Sequence, residues 1–222
     1  FEEFGIHGAD HLTLNIPDVL RRVRRLRDDF VASTLKTTEE LGERAISGHA
    51  RLLAPDRLTV NGQELRARKI IIATGSHPIV PSSWQKLAER LLTTDTLFEQ
   101  KTLPSRMAVV GMGPIGVEMA QALSRLGVKV VAFNSSRTVA GLTDPQVNTI
   151  AIEQLEREFP VHLGDNADLS ILNNGVQVCA GNTKVMVDSV LAALGRRPNI
   201  EDLGLETLGI SLDKHGMPPV DP

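Results

Sequence analysis

Three glycines at fixed spacing point most directly to chemistry in this chain. Gly111, Gly113 and Gly116 stand in the order Gly-x-Gly-x-x-Gly. Between a strand and a helix, the first glycine permits a tight turn, the second lets the backbone approach phosphates and the third lets the helix pack closely. A helix N-terminus also offers free N–H groups and a partial positive charge. The pattern predicts a site for a dinucleotide pyrophosphate, against the alternative of a purely structural turn.

The flanking residues supply the strand and the helix that such a turn requires. Residues 107–110 are an apolar run typical of a strand, and apolar residues recur at helical spacing over 115–126. The turn and the start of the helix are therefore predicted to line the nucleotide. The predicted residues are Gly111, Met112, Gly113, Pro114, Ile115, Gly116, Val117 and Glu118.

Strand and helix patterns alternate over the surrounding part of the chain. A second strand is predicted over 128–133, a helix opens at Asp144 and Pro145, and a final strand covers 189–194. A hairpin is predicted around 173–175. This alternation favours an α/β fold with a parallel sheet covered on both faces and right-handed crossovers.

The preceding part of the chain has a different organisation. Residues 17–43 read as one long helix, and Asn61 and Gly62 predict a tight hairpin. Residues 70–73 predict a buried strand, and the proline-containing segment 77–104 predicts a crossing between units.

The long helix carries a run of arginines: Arg21, Arg22, Arg24, Arg25 and Arg27. The run is either a phosphate-binding or partner-binding face, or a solvated helix surface. The second interpretation is favoured because acidic residues follow and no aromatic residues interleave.

Composition excludes several functional classes. The 222 residues hold 24 Lys+Arg against 27 Asp+Glu, so no nucleic-acid partner is expected. Apolar runs are far shorter than the roughly 20 residues of a membrane span, and no metal-ligand pattern is present. The single Cys179 cannot form an intrachain disulfide, which suits a reducing cytoplasm. The first residue is Phe1, and we expect the chain to be a segment of a longer protein.

Four segments in order resemble the class I pyridine nucleotide-disulfide oxidoreductases, in particular the dihydrolipoamide dehydrogenase branch. These segments are 71–76, 111–118, 123–127 and 193–199. The resemblance covers essentially the whole chain, which is similar to the central part of a family member.

The resemblance implies a Rossmann-like FAD/NAD(P)-binding fold in three parts. Residues 1–103 would be part of the FAD-binding domain, 104–194 the inserted NAD(P)-binding domain, and 195–222 the return to the FAD domain. The redox cysteine pair of the family would precede this segment, and its dimer domain would follow.

The resemblance also assigns residues to the flavin. It places the FAD-facing loop at Ala73, Thr74, Gly75 and Ser76. Ala50 would face the flavin's adenine through its backbone. The alternative for the loop is an ordinary turn at the end of a strand.

On the nicotinamide side, Asn166 and Ala167 would meet the adenine, and Gly195 would lie near the nicotinamide or serve only as a turn. Glu118 resembles the family acid near nicotinamide and flavin. Its alternative role is a solvent-facing acid in the first turn of the helix. No other catalytic residue is expected in this chain.

Asn134 stands where the family usually has the acid that binds the NAD ribose. An asparagine can hydrogen-bond ribose but does not repel a 2′-phosphate, and Arg137 follows three residues later. The choice between NAD and NADP is therefore open, with NAD favoured by the family branch.

The function implied is electron transfer between NAD(P)(H), FAD and a small-molecule or lipoyl dithiol/disulfide, by a cytoplasmic homodimer that takes part in cell redox homeostasis. Related NADH oxidases or peroxidases and glutathione or mercuric reductases share this section. The other alternative is a non-catalytic NAD(P)-binding module. We expect the isolated 222-residue chain to be inactive.

Overall fold

The computed structural model describes residues 7–8, 11, 13–213 and 216–219. The chain divides into two compact units. One contains the residues up to Asp28 together with Val80–Leu194, and the other contains Asp29–Ile79 together with the residues from Gly195 onward.

The described part of the chain contains α-helices, short 3-10 helices and β-strands. The α-helices are α1 (Ile16–Glu39), α2 (Thr94–Leu97), α3 (Pro114–Arg125) and α4 (Pro145–Glu156). The short 3-10 helices cover Gly42–Arg44, Ser82–Arg90 and Leu205–Leu208. The strands are β1 (Ala50–Ala54), β2 (Arg57–Val60), β3 (Gln63–Arg66), β4 (Ser76–Pro78), β5 (Leu91–Leu92), β6 (Arg106–Val110), β7 (Lys129–Asn134), β8 (Val161–Leu163), β9 (Asp168–Leu172), β10 (Gly175–Ala180), β11 (Thr183–Val187), β12 (Ser189–Ala192) and β13 (Arg196–Pro198).

A parallel sheet forms the centre of the first unit, as the alternating pattern predicts. Its strand order is β5-β12-β6-β7-β8, and each neighbouring pair is parallel. In β6, Met107 and Val109 pack into one apolar cluster, whereas Ala108 and Val110 pack into another. Successive side chains of a strand point to opposite faces, so both faces of the sheet are covered.

Different elements cover the two faces of this sheet. The cluster that holds Met107 also contains Leu123 of α3 and Leu155 of α4. The cluster that holds Ala108 contains Val176 and Val178 of β10, the central strand of an antiparallel sheet in the order β11-β10-β9. The hairpin predicted around 173–175 is thus confirmed as the β9–β10 connection.

Helix α4 begins where the sequence predicts. The Asp144 side chain accepts hydrogen bonds from the N–H groups of Gln146 and Val147, at 2.8 and 3.0 Å. Pro145 is the first helical residue. Both features are typical of helix N-termini, because the cap satisfies free N–H groups and proline lacks one.

The second unit contains the antiparallel sheet β1-β2-β3. The predicted hairpin is confirmed: Asn61 and Gly62 have φ of +52° and +81° and connect β2 to β3. Two positive φ angles match the twist of the paired strands. Leu52 of β1 packs with Ile200 and Leu205 in the core of this unit.

Two predictions for this region need correction. Residues 70–73 are irregular rather than a strand, and the Ile71 side chain is 90% exposed. A strand requires a neighbouring backbone for its hydrogen bonds, and no described strand pairs with this segment. The long helix ends at Glu39 rather than near residue 43, because Gly42 has φ of +55°, which a right-handed helix does not continue.

The arginines of α1 include side chains that bind protein groups of the first unit. Arg24 donates to the carbonyl oxygens of Phe98 and Gln100 at 2.8 and 2.9 Å. Arg27 forms an ion pair with Glu99. Four of the five arginines are exposed, as the interpretation of a solvated helix surface predicts, whereas Arg24 is half-buried against carbonyl groups of the same unit.

Candidate functional site

The turn between β6 and α3 needs glycine at two positions. Gly111 has φ of +99°, and a Cβ there would lie 2.3 Å from the carbonyl oxygen of Ala193. A Cβ on Gly116 would lie 1.9 Å from the carbonyl oxygen of Gly111. Neither approach leaves room for a side chain, so these glycines bring α3 and β12 close to the turn.

Gly113 differs from its two neighbours in the motif. Its φ of −66° is open to any residue, and a Cβ there would have nothing within 4 Å. Gly113 caps α3 without a side-chain hydrogen bond, and Pro114 follows it. The first turn of α3 therefore faces open space with N–H groups that no side chain caps, which is the arrangement that binds phosphate.

A cavity of about 260 Å³ lies beside this turn. It brings together four residues that the sequence assigns to the nicotinamide nucleotide: Gly111, Asn134, Asn166 and Ala167. The remaining lining residues are Pro81, Trp84, Val110, Ser135, Asp165 and Leu194.

Sequence reasoning did not find Trp84, Ser135 and Asp165 as lining residues. Ser135 follows β7 directly, and Asp165 follows β8 by two residues. Ligands in parallel sheets bind beyond the carboxyl ends of the strands, so their positions after strands were the available signal. Trp84 lies in a 3-10 helix outside that pattern, and its place is decided by packing.

The other predicted residues of the motif have different surroundings. Met112 is buried, Val117 is half-buried, and Pro114 and Ile115 are exposed. Glu118 is exposed and is the fifth residue of α3. Glu118 is thus solvent-facing, as its alternative role requires, but it lies one residue past the first turn of α3, which holds no acidic residue.

The predicted flavin loop, Ala73–Ser76, lies in the second unit and is hydrogen-bonded by residues that follow Gly195. Asn199 donates from Nδ2 to the carbonyl oxygen of Thr74 and from its backbone N–H to that of Gly75, both at 3.0 Å. Arg196 Nε donates to Ser76 Oγ at 2.9 Å, and β13 pairs with β4. The loop and residues 196–199, far apart in the chain, thus meet within the second unit.

A second cavity, of about 320 Å³, opens beside the loop. It brings together Ala50 and Thr74 with His49 and Asn199. Ala73 lines a neighbouring apolar cavity with Ala50. Gly195 has φ of +99°, and its carbonyl oxygen accepts the Ile79 N–H at 2.9 Å.

Charged pairs stabilise the first unit away from the cavity. Asp188 accepts the backbone N–H of Arg106 at 2.9 Å and its Nε at 3.2 Å. This side-chain hydrogen bonding to Arg106 lowers the pKa of Asp188. The pair connects the starts of β6 and β12.

The described part of the chain shows neither a metal-binding cluster nor a membrane-spanning helix. Within it, no group of three or more His, Cys, Asp or Glu residues is arranged to hold a metal ion. None of the helices described is both long and apolar enough to cross a membrane.

The comparison with protein families decides the identity of the fold. The family model described as pyridine nucleotide-disulphide oxidoreductase matches residues 12–222. The chain belongs to this family. The predicted resemblance to this family is thereby confirmed, and the parallel sheet agrees with the predicted Rossmann-like α/β fold.

The relatives of this chain are named for several different activities. It is 34% identical to a glutathione reductase of Burkholderia cepacia over 78% of the chain, and 30% identical to a mercuric reductase of Staphylococcus aureus over 80%. It is 27% identical to a dihydrolipoyl dehydrogenase of Chlamydia trachomatis over 99% of the chain. The alignments cover 39%, 34% and 49% of those proteins.

Solved structures show the same fold. The flavoprotein disulfide reductase RclA of Escherichia coli superposes with a TM-score of 0.81 at 24% identity, over 97% of this chain and 50% of that chain. LpdA of Mycobacterium tuberculosis superposes with a TM-score of 0.81 at 26% identity, over 99% and 50%. The chain therefore spans about half the length of the structures it matches.

Proposed function

We propose that the protein carrying this chain is an FAD-dependent, dihydrolipoamide dehydrogenase-like enzyme that passes electrons between NAD(P)(H), FAD and a dithiol/disulfide. One observation carries the proposal. Gly111 and Gly116 have no room for side chains, while Gly113 opens onto free space at the N-terminus of α3. A merely structural turn requires close packing but not an open, uncapped helix end.

The nicotinamide nucleotide would be held by residues 104–194, with Pro81 and Trp84 lining the same cavity. The first turn of α3 would receive its pyrophosphate, and the cavity lined by Gly111, Asn134 and Ala167 lies beside that turn. Glu118, exposed on α3, would influence charge near the nicotinamide and flavin.

FAD would be held by residues 1–103 and 195–222. The loop Ala73–Ser76 would contact it, and Ala50 would face its adenine. The 320 Å³ cavity that joins Ala50 to Thr74 fits this assignment. FAD, when bound, supplies the two-electron chemistry between nicotinamide and dithiol, and the chain supplies binding and orientation.

The substitution Gly113→Val tests the nucleotide site without disturbing the fold. Valine can adopt the backbone angles of Gly113. Its side chain would point into the open space where the phosphates are proposed to approach. We expect a small fall in the melting temperature, because valine is a poorer N-cap residue than glycine, and at least a tenfold weaker binding of NADH in a fluorescence titration of the intact protein. The matched control is Thr149→Val on the exposed face of α4. Equal NADH affinity of the Gly113→Val and control proteins contradicts the proposal.

Two further substrates are candidates besides a lipoyl disulfide: glutathione disulfide and Hg(II). The identities to a glutathione reductase and a mercuric reductase favour testing glutathione disulfide and Hg(II) beside lipoamide. NADH- and NADPH-dependent turnover of these three substrates by the intact protein distinguishes the branches. Absence of bound FAD and of all turnover would instead favour a non-catalytic nucleotide-binding module.

We further propose that the intact protein is a cytoplasmic homodimer and that the isolated 222-residue chain is inactive. Light scattering of the purified protein measures the oligomeric state, and cell fractionation measures the location. Lipoamide-dependent NAD(P) turnover by the isolated chain would contradict the predicted inactivity.

A further inference from the structure

Asn134 ends β7 and hydrogen-bonds both the glycine turn and the loop that follows β7. Its Oδ1 accepts the backbone N–H of Met112 at 3.1 Å. Its Nδ2 donates to the carbonyl oxygens of Ser136 and Thr138 at 3.2 and 2.8 Å. One amide thus satisfies three backbone groups on two segments.

The chemistry of these three partners determines the orientation of the amide. In the reversed orientation, Nδ2 would face the N–H of Met112, which is a donor against a donor. Oδ1 would then face the carbonyl oxygens of Ser136 and Thr138, which are acceptors against an acceptor. Only the observed orientation of Asn134 satisfies all three contacts.

The contacts around Asn134 hold the centre of the glycine turn. Met112 is 1% exposed, and its carbonyl oxygen accepts the N–H of Ala140 at 2.7 Å. Asn148 of α4 supports the same loop: it accepts the N–H of Val139 at 2.9 Å and donates to the carbonyl of Arg137 at 3.2 Å. The peptide groups on either side of the Met112 Cα are therefore both tied to the loop after β7.

We propose that Asn134 is a positioning residue that holds the Met112 peptide, and with it the phosphate-facing Gly113, rather than a ligand of the adenosine ribose. Both of its amide hydrogens are already donated, so a ribose hydroxyl could receive one only by breaking a bond to Ser136 or Thr138. The second lone pair of Oδ1, beside the Met112 N–H, is all that is left for a ribose hydroxyl. This inference deepens the proposed nucleotide site and rests on it.

An aspartate at this position separates the two roles. A carboxylate can accept the Met112 N–H but cannot donate to the two carbonyl oxygens, and its negative charge would repel them. As a ribose ligand, the same carboxylate would strengthen NADH binding and repel the 2′-phosphate of NADPH. The two roles thus predict opposite effects on NADH affinity.

The experiment compares Asn134→Asp with the wild-type intact protein. We expect NADH and NADPH affinities to fall by a similar factor, about tenfold each, in fluorescence titrations, since the turn is shared by both nucleotides. The control Asn174→Asp makes the same chemical change in the exposed β9–β10 turn and should alter neither affinity. Tighter NADH binding with weaker NADPH binding in Asn134→Asp would overturn the proposal.

A nucleotide-free measurement separates this proposal from the proposed function. We expect the Met112 amide to exchange hydrogen at least tenfold faster in Asn134→Ala, which removes the Oδ1 acceptor, and in Asn134→Leu should the alanine variant not fold. Unchanged exchange in the folded variant overturns the positioning role. Failure of the wild-type protein to bind either nucleotide overturns the proposed function and, with it, the role of Asn134 in nucleotide binding, while the exchange rates still report whether Asn134 holds the turn.

Discussion

Arg125 and Glu158 form a two-point ion pair between the end of α3 and the residues that follow α4. Nη2 of Arg125 lies 2.8 Å from Oε1 of Glu158, and Nε lies 2.9 Å from Oε2. Gln121 also donates to Oε1 at 2.9 Å. The hydrogen bonding by Arg125 lowers the pKa of Glu158, and the bonding by Gln121 acts in the same direction.

This pair predicts a pH-dependent contribution to stability. Because the folded-state pKa of Glu158 lies below that of an ordinary glutamic acid, about 4.3, its contribution is present above that value and is lost as the pH falls through the folded pKa. We expect Glu158→Gln to lower the free energy of unfolding by about 1 kcal/mol at pH 7, since Arg125 is largely exposed.

Urea unfolding at pH 7 and below pH 4 measures this effect. The difference between wild type and Glu158→Gln should shrink at the lower pH. Glu156→Gln, an exposed control two residues earlier, should show no such difference at either pH. A deficit of Glu158→Gln that grows on acidification would contradict the assignment.

Gly116→Ala should destabilise the first unit more than Gly113→Ala. The added Cβ would meet the carbonyl oxygen of Gly111 at 1.9 Å, whereas at Gly113 it would meet nothing within 4 Å. We expect a loss of about 1–3 kcal/mol for Gly116→Ala, typical of overpacking, and little change for Gly113→Ala. Thermal unfolding of both variants measures this difference, and equal melting temperatures would refute the close approach of α3 to the turn.

Asn199→Ala should loosen the predicted flavin loop. The substitution removes the hydrogen bond from Nδ2 to the carbonyl of Thr74, 3.0 Å long, and the 2.6 Å contact between Oδ1 and His77 Nδ1. We expect faster amide hydrogen exchange over residues 73–77 and a lower FAD content of the purified protein. Asn199→Asp keeps the acceptor for His77 but removes the donor to Thr74. Exchange and FAD content between those of wild type and Asn199→Ala would therefore show that both contacts contribute. Unchanged exchange in both variants would show that Asn199 does not hold the loop.

Predictions from the sequence succeeded where the chemistry is local. The spacing of Gly111 and Gly116 between a strand and a helix, and the pair Asn61 and Gly62 between two strands, correctly located turns whose backbone angles or close contacts require those residues. The apolar run 70–73 led to a wrong prediction of a strand, because strand formation is not decided by local residues alone. It shows what the segment prefers, but a strand also needs a paired backbone, and no described strand pairs with this segment.

Local residue patterns thus determined the glycine turn, the start of α4 at Asp144 and the alternation that leads to a parallel sheet. Tertiary structure alone determined the partners of Asn134 and the meeting of Asn199 with Thr74, 125 residues apart. It also brought Asp165 and Trp84 to the cavity beside Gly111. A turn depends on the φ and ψ of a few successive residues, whereas a hydrogen bond or a cavity wall requires atoms within a few ångströms after the whole chain has packed.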